Sequence, residues 1–139
     1  MYKILDNLYQ GPAPKEKVDN IQVVINLVIE NPVIDLSLYS NLVMYSYLPI
    51  EDGPCPGLPW LQSAVSVAQA FRKNHNILIH CRGGVSRSVM LTAAILMETN
   101  EFYMNVDNSL NFIASKNPSI DPAPRFINLL KEYRSHWSR

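Results

Sequence analysis

The chain has no excess charge of either sign. Twelve Lys and Arg offset twelve Asp and Glu across 139 residues. A broad basic surface for nucleic acid or anionic membrane is therefore not expected. Cysteine is scarce: Cys55 and Cys81 are the only two, too few for a disulfide framework. No apolar run approaches the roughly 20 residues of a membrane-spanning helix. No signal-like segment opens the chain. Repeats, low-complexity tracts and interdomain linkers are absent, and so is a G-x4-G-K-[ST] phosphate loop. These absences point to one domain over residues 1–139 in a reducing, cytoplasmic setting.

What is present suits a compact core. Hydrophobic residues make up 47% and charged residues 17% of the chain. The pattern alternates strands and helices. Residues 2–5 and 8–10 read as a strand pair turning at Asp6-Asn7, and 15–20 as a short helix. Residues 21–28, 42–48 and 76–79 read as strands, with 31–39 ambiguous. Helical spacing marks 60–74, with Trp60, Ala64, Ala68 and Phe71 on one face. It returns at 89–97, which is apolar nearly all round, and in the stripes beginning at Val106 and Phe126. Such interleaving implies an α/β fold: one domain whose central, mainly parallel sheet is flanked by helices.

The chemistry is concentrated in His80-Cys81-Arg82-Gly83-Gly84-Val85-Ser86-Arg87-Ser88. Residues 77–79 are short, apolar and rich in β-branched side chains, so Cys81 falls where a strand passes through a loop into a helix. A free thiol has a pKa of about 8.5, but at a helix N-terminus near cations it can ionise at neutral pH. Amides of residues 82–86 can point inward there, and the helix dipole adds to them. Gly83 and Gly84 permit conformations that a side chain forbids. Arg87 offers a planar fork for two phosphate oxygens. Ser88 can donate to the sulfur when it leaves. Nucleophile, anion cradle and clamp together suit attack on a phosphate monoester. A lone buried cysteine is usually a small hydrophobe; the strand, the paired glycines and the S-R-S ending together outweigh that reading.

The run matches H-C-x5-R-S and resembles the dual-specificity branch of the cysteine-dependent protein-tyrosine phosphatase superfamily. The likeness extends along the chain, from "ILDNLYQGPAP" through "VVINLVIE" to "SLNFIASKNPSIDPAPRFINLLKEY". It implies a phosphatase-like fold, a thiophosphate enzyme intermediate, and neither metal nor cofactor. It assigns Cys81, Arg87 and Ser88 to catalysis, His80 to supporting the loop, and Arg82, Gly83, Gly84, Val85 and Ser86 to holding substrate. Arg82 is an extra cation that either pairs with acidic substrate residues or serves as surface charge. The proline-stiffened loop from Pro49 to Pro59 resembles the family's P-x-x-D-G-x-x-P loop, making Asp52 the general acid, with Glu51 as the fallback. The usual P-N-x-G-F appears as Pro122-Ala123-Pro124-Arg125-Phe126, which lacks the Asn. Some relatives protect an oxidised nucleophile with a second thiol, a role open to Cys55.

The implied partner is a phosphorylated protein, with phosphotyrosine accepted and phosphoserine or phosphothreonine as further substrates. Phosphoinositide phosphatases of the same superfamily carry lysines in the loop, one of them where Val85 stands. RNA triphosphatases end theirs in N-R-T. Both remain alternatives. A phosphopeptide-binding module is a third, although such members usually lack a loop residue that this chain retains. Oligomeric state is not legible.

A general acid matters most when the leaving group is poor. Asp52→Asn should therefore slow hydrolysis of phenyl or alkyl phosphates strongly, about 100-fold, and esters with acidic leaving groups much less. It should also remove the alkaline limb of the kcat/KM profile, while Glu51→Gln changes neither. The opposite pattern would move the acid to Glu51.

Overall fold

The computed structural model describes residues 1–51, 54–99 and 105–137. Five strands form one sheet in the order β1-β2-β5-β3-β4. These are β1 (Tyr2–Leu5), β2 (Leu8–Pro12), β3 (Val23–Val28), β4 (Met44–Ile50) and β5 (Ile77–Cys81). Only β1 and β2 are antiparallel; the other neighbours are parallel. Among the described residues there are four α-helices: α1 (Leu58–Arg72), α2 (Arg87–Thr99), α3 (Val106–Lys116) and α4 (Pro124–Trp137). None among the described residues is long and apolar enough to cross a membrane.

Strands β3 and β5 are apolar apart from Asn26 and His80, because both of their faces are covered. Every residue of β3 and β5 is buried. Side chains alternate across the sheet, so Val23, Ile25, Ile77, Ile79 and Cys81 join the main core with residues of all four helices. Val24 and Leu78 point the other way, into a smaller cluster with Ile21 and Tyr39. No residue of α1–α4 belongs to that second cluster. The helices thus lie on one face, and irregular chain with a short 3-10 turn (Leu36–Leu38) covers the other.

The helix expected over 15–20 is not formed. Val18 makes an isolated parallel bridge to Tyr39, its amide donating to the Leu38 carbonyl at 2.7 Å. So short a helix cannot sustain itself, and pairing with a distant segment prevails. Strand β4 runs through Pro49 to Ile50, beyond the expected end at Leu48. It is an edge strand, where the missing proline N–H costs no ladder bond.

Helix α2 is the hub. It reads RSVMLTAAILMET and is buried from Arg87 to Met97. Helices α1, α3 and α4 and strands β2 and β5 all pack against it. A helix enclosed this way is apolar all round. Ile95, fully buried within it, should cost about 2–5 kcal/mol of unfolding free energy when cut to Ala. Urea titration would measure this, and a loss below about 1 kcal/mol would contradict the central position of α2.

Candidate active site

Cys81 is the last residue of β5 and Arg87 the first of α2. Residues 82–86 form the turn between them, at the carboxyl end of the parallel strands, where ligands collect in such sheets. The turn is held from outside. The Arg82 carbonyl accepts from the Ala13 amide at 3.2 Å, and the Val85 carbonyl from the Asp121 amide at 2.8 Å. The Gly84 carbonyl accepts from the side chains of Gln10 and Asn117. The Ser86 carbonyl accepts from the Met90 amide, the first turn of α2. Among the described residues, no amide of residues 83–86 donates within the protein. A run of unpaired N–H groups beside a helix N-terminus is an anion cradle.

The two glycines are not equivalent. Gly84 has φ +71°, and a Cβ there would lie 2.4 Å from the Pro12 nitrogen and 2.5 Å from the Gly11 carbonyl carbon. Only glycine lets the turn lie against β2. A Cβ on Gly83 would meet nothing closer than Val85 at 4.0 Å.

Cys81 is 2% exposed, and its Sγ lies 3.1 Å from Ser88 Oγ. The buried guanidinium of Arg87 grips Glu30 with both Nη atoms, at 3.1 and 2.7 Å, and donates to the Ile50 carbonyl at 3.1 Å. Arg carries five N–H donors. Its Nε–H and one Nη2 hydrogen have no partner among the described residues, which leaves a second pair for an oxyanion. The Arg87 hydrogen bonds hold the Glu30 carboxyl below the usual carboxylate range, against the opposing effect of burial. The charges of Arg87 and Arg82 add to the lowering.

His80 points to the opposite face from Cys81, and its Nδ1 lies 3.2 Å from the Cys81 carbonyl oxygen. Burial lowers its pKa, only partly offset by that backbone bond, so the ring is neutral at pH 7. Nδ1 carries the hydrogen, and the buried Nε2 has no partner. A cleft of about 1180 Å³ opens beside the turn, lined by Lys15, Lys17, Glu30, His80, Arg82 and Gly83 among others. Arg82 is exposed there, as is Val85 on the turn itself, whereas Ser86 is buried and accepts from the Ala123 amide at 3.0 Å. Asp52, the expected acid, lies outside the described residues; Glu51 beside it is exposed. Both cysteines are free thiols, and the Cys55 sulfur lies 3.8 Å from the Arg125 carbonyl oxygen.

Three polar residues at the site escape a reading by motif: Glu30, Gln10 and Asn117. Gln10 alone carried a signal. It shares the core-facing parity of Leu8 in β2 and pairs with Ile79, and an amide on a core face is a residue with a task. Asn117, with the amides of Asp121 and Ala123, braces the turn where the motif lacks its usual Asn.

Residues 5–136 match the family model described as "Dual specificity phosphatase, catalytic domain". The chain belongs to that family. Among curated relatives, tyrosine-protein phosphatase yvh1 of Schizosaccharomyces pombe is 39% identical over 89 residues, 63% of this chain and 26% of that protein. Human dual specificity protein phosphatase 16 is 33% identical over 88 residues, 62% of this chain and 13% of that protein. A probable rhodanese domain-containing dual specificity protein phosphatase of Dictyostelium discoideum is 31% identical over 96% of this chain and 28% of its own. The chain thus spans well under half of the curated relatives it matches. The crystal structure of human DUSP28 superposes with a TM-score of 0.82 at 18% identity, covering 99% of this chain and 98% of that one. This likeness concerns the fold, which is that of the dual-specificity phosphatases.

Glu30 is the counter-charge that Arg87 needs. A carboxyl whose pKa is depressed in the folded state stabilises above its unfolded value, and that stability is lost as pH falls through the folded value. Replacement by Gln should therefore cost up to about 1 kcal/mol at neutral pH, discounted for the partial exposure of Glu30. The gap between the two proteins should close below about pH 4. Urea denaturation from pH 7 to 3 checks this, and a pH-independent gap would show that the charge is not the cause.

Proposed function

We propose that the protein is a cysteine-dependent phosphomonoesterase acting on phosphorylated proteins, with phosphotyrosine among its substrates and phosphoserine or phosphothreonine as further ones. The observation that carries this is the Cys81 sulfur at a strand end, followed by a turn whose amides have no partner among the described residues and a pre-aimed Arg87. Cys81 Sγ attacks phosphorus in line with the leaving oxygen, and a P–S bond replaces the P–O bond. Asp52 supplies the proton to the departing oxygen. Water, deprotonated by Asp52, then attacks phosphorus; the P–S electron pair returns to sulfur and inorganic phosphate leaves. The turn amides and the two spare donors of Arg87 hold the equatorial oxygens through both steps. His80 fixes the backbone at the sulfur by its bond to the Cys81 carbonyl.

The chemistry requires no metal or cofactor. Zero net charge disfavours nucleic acid and anionic membrane as partners. Free cysteines fit the reducing cytoplasm. A non-protein substrate is the second reading. One structural neighbour, PTPMT1, has been crystallised in complex with PI(5)P. Against a phosphoinositide stands Val85, exposed on the turn where enzymes of that class carry a lysine.

Cys81→Ser should lower turnover of an aryl phosphate by about 10⁴-fold or more while phosphopeptide binding persists, because the cradle is intact. Wild type should prefer phosphotyrosine peptides over PI(5)P and RNA 5′-triphosphate in a release assay. Near wild-type turnover in the Ser variant would remove Cys81 as nucleophile. Preference for the lipid or RNA would replace the protein substrate.

A further inference from the structure

The amide of Gln10 is fully buried beneath the Cys81 turn. A buried polar group is costly unless its hydrogen-bonding capacity is met. Here it is met in only one orientation. Nε2 of Gln10 donates to the Gly84 carbonyl at 2.8 Å and to Ser88 Oγ at 2.9 Å, using both of its hydrogens. Oε1 accepts from Asn117 Nδ2 at 3.1 Å. The other Nδ2 hydrogen goes to the same Gly84 carbonyl at 3.2 Å. Asn117 Oδ1 accepts from the backbone N–H of Ser119 at 3.1 Å.

A backbone N–H cannot reverse its polarity. It therefore sets which end of the Asn117 amide faces Gln10, and Asn117 sets Gln10 in turn. Flipping Gln10 would place Oε1 against the Gly84 carbonyl oxygen and its NH2 against that of Asn117. With Gln10 donating to it, the Ser88 hydroxyl is left to direct its own hydrogen at an acceptor, and Cys81 Sγ is 3.1 Å away. An ionised sulfur has no hydrogen, so the hydroxyl must then be the donor.

We propose that Gln10 is a positioning residue that, oriented by Asn117, points the Ser88 hydroxyl hydrogen at Cys81 Sγ. The role rests on the reading of Cys81 as a nucleophile that is later expelled from phosphorus. It acts mainly on the second step. Water attacks phosphorus, the P–S bond breaks, its electron pair returns to Sγ, and the oriented hydrogen bond stabilises the charge appearing there. No proton leaves Ser88. In the first step the same bond stabilises the attacking sulfur before reaction, so its loss does not slow attack by sulfur that is already ionised. Gln10 and Asn117 themselves touch no phosphate.

The test is rapid-quench kinetics with p-nitrophenyl phosphate on the full chain, comparing wild type, Gln10→Met, Ser88→Ala and the double variant. Methionine keeps the volume of glutamine and removes its polarity. Both single variants should slow phosphoenzyme breakdown about tenfold or more, the value of one hydrogen bond to a charged group. Phosphocysteine should accumulate, while its formation rate and the affinity for vanadate stay within about twofold. The double variant should match Ser88→Ala alone. Unchanged breakdown in Gln10→Met, additive losses in the double variant, or a parallel fall in formation rate and vanadate affinity would each overturn the proposal; the last would mark Gln10 as a brace only. If Gln10→Met does not fold, Gln10→Leu, which likewise removes the donor to Ser88, should show the same accumulation, and wild-type breakdown in it would be decisive against. Wild type that hydrolyses the ester without ever forming phosphocysteine would remove the cysteine mechanism and the orienting role together.

Discussion

Everything at this site depends on a turn whose Arg82, Gly84 and Val85 carbonyls are satisfied from outside it. Between β5 and α2 the chain has five residues in which to change direction. If those carbonyls bonded within the turn, the amides would be consumed with them. Instead partners arrive from Ala13, from Gln10 and Asn117, and from Asp121. The amides remain available on the inner side. Strand β2 must lie beside β5 for this to work, and Gly84 must lack a side chain so that the two can touch. The sheet order and the glycine are two parts of one requirement.

Arg87 poses the complementary problem. A buried guanidinium is costly unless its donors and its charge find partners. The ends of β3 and β4 solve it, with Glu30 following the first and the Ile50 carbonyl ending the second. These contacts also stop the long side chain from sampling other rotamers. The fork is thus fixed in position, and two of its donors have no partner among the described residues. Pre-placed charge of this kind lowers a transition state because no reorganisation is needed during reaction.

Much of the fold was legible where local pattern and tertiary environment agree. The apolar runs of β3 and β5, the all-round apolar α2 and the stripes of α3 and α4 appear where periodicity puts them. Disagreement arises where one segment leans on a distant one. Residues 15–20 have acceptable helical composition, yet Val18 pairs with Tyr39 instead. Pro49 reads as the end of a strand but is harmless at an open edge. Gly83 and Gly84 read alike, and only packing against β2 tells them apart.

The sequence by itself determined the class of chemistry. Cysteine, arginine and serine at that spacing lie on one short strand–turn–helix unit, so their proximity is a local property of the chain. Only the tertiary structure decided what holds and tunes them. Glu30 lies 57 residues from Arg87, and Asn117 lies 107 residues from Gln10. No local period links such positions. They meet because sheet order and helix packing bring them together, and because buried charges and amides accept only arrangements in which every donor finds its acceptor.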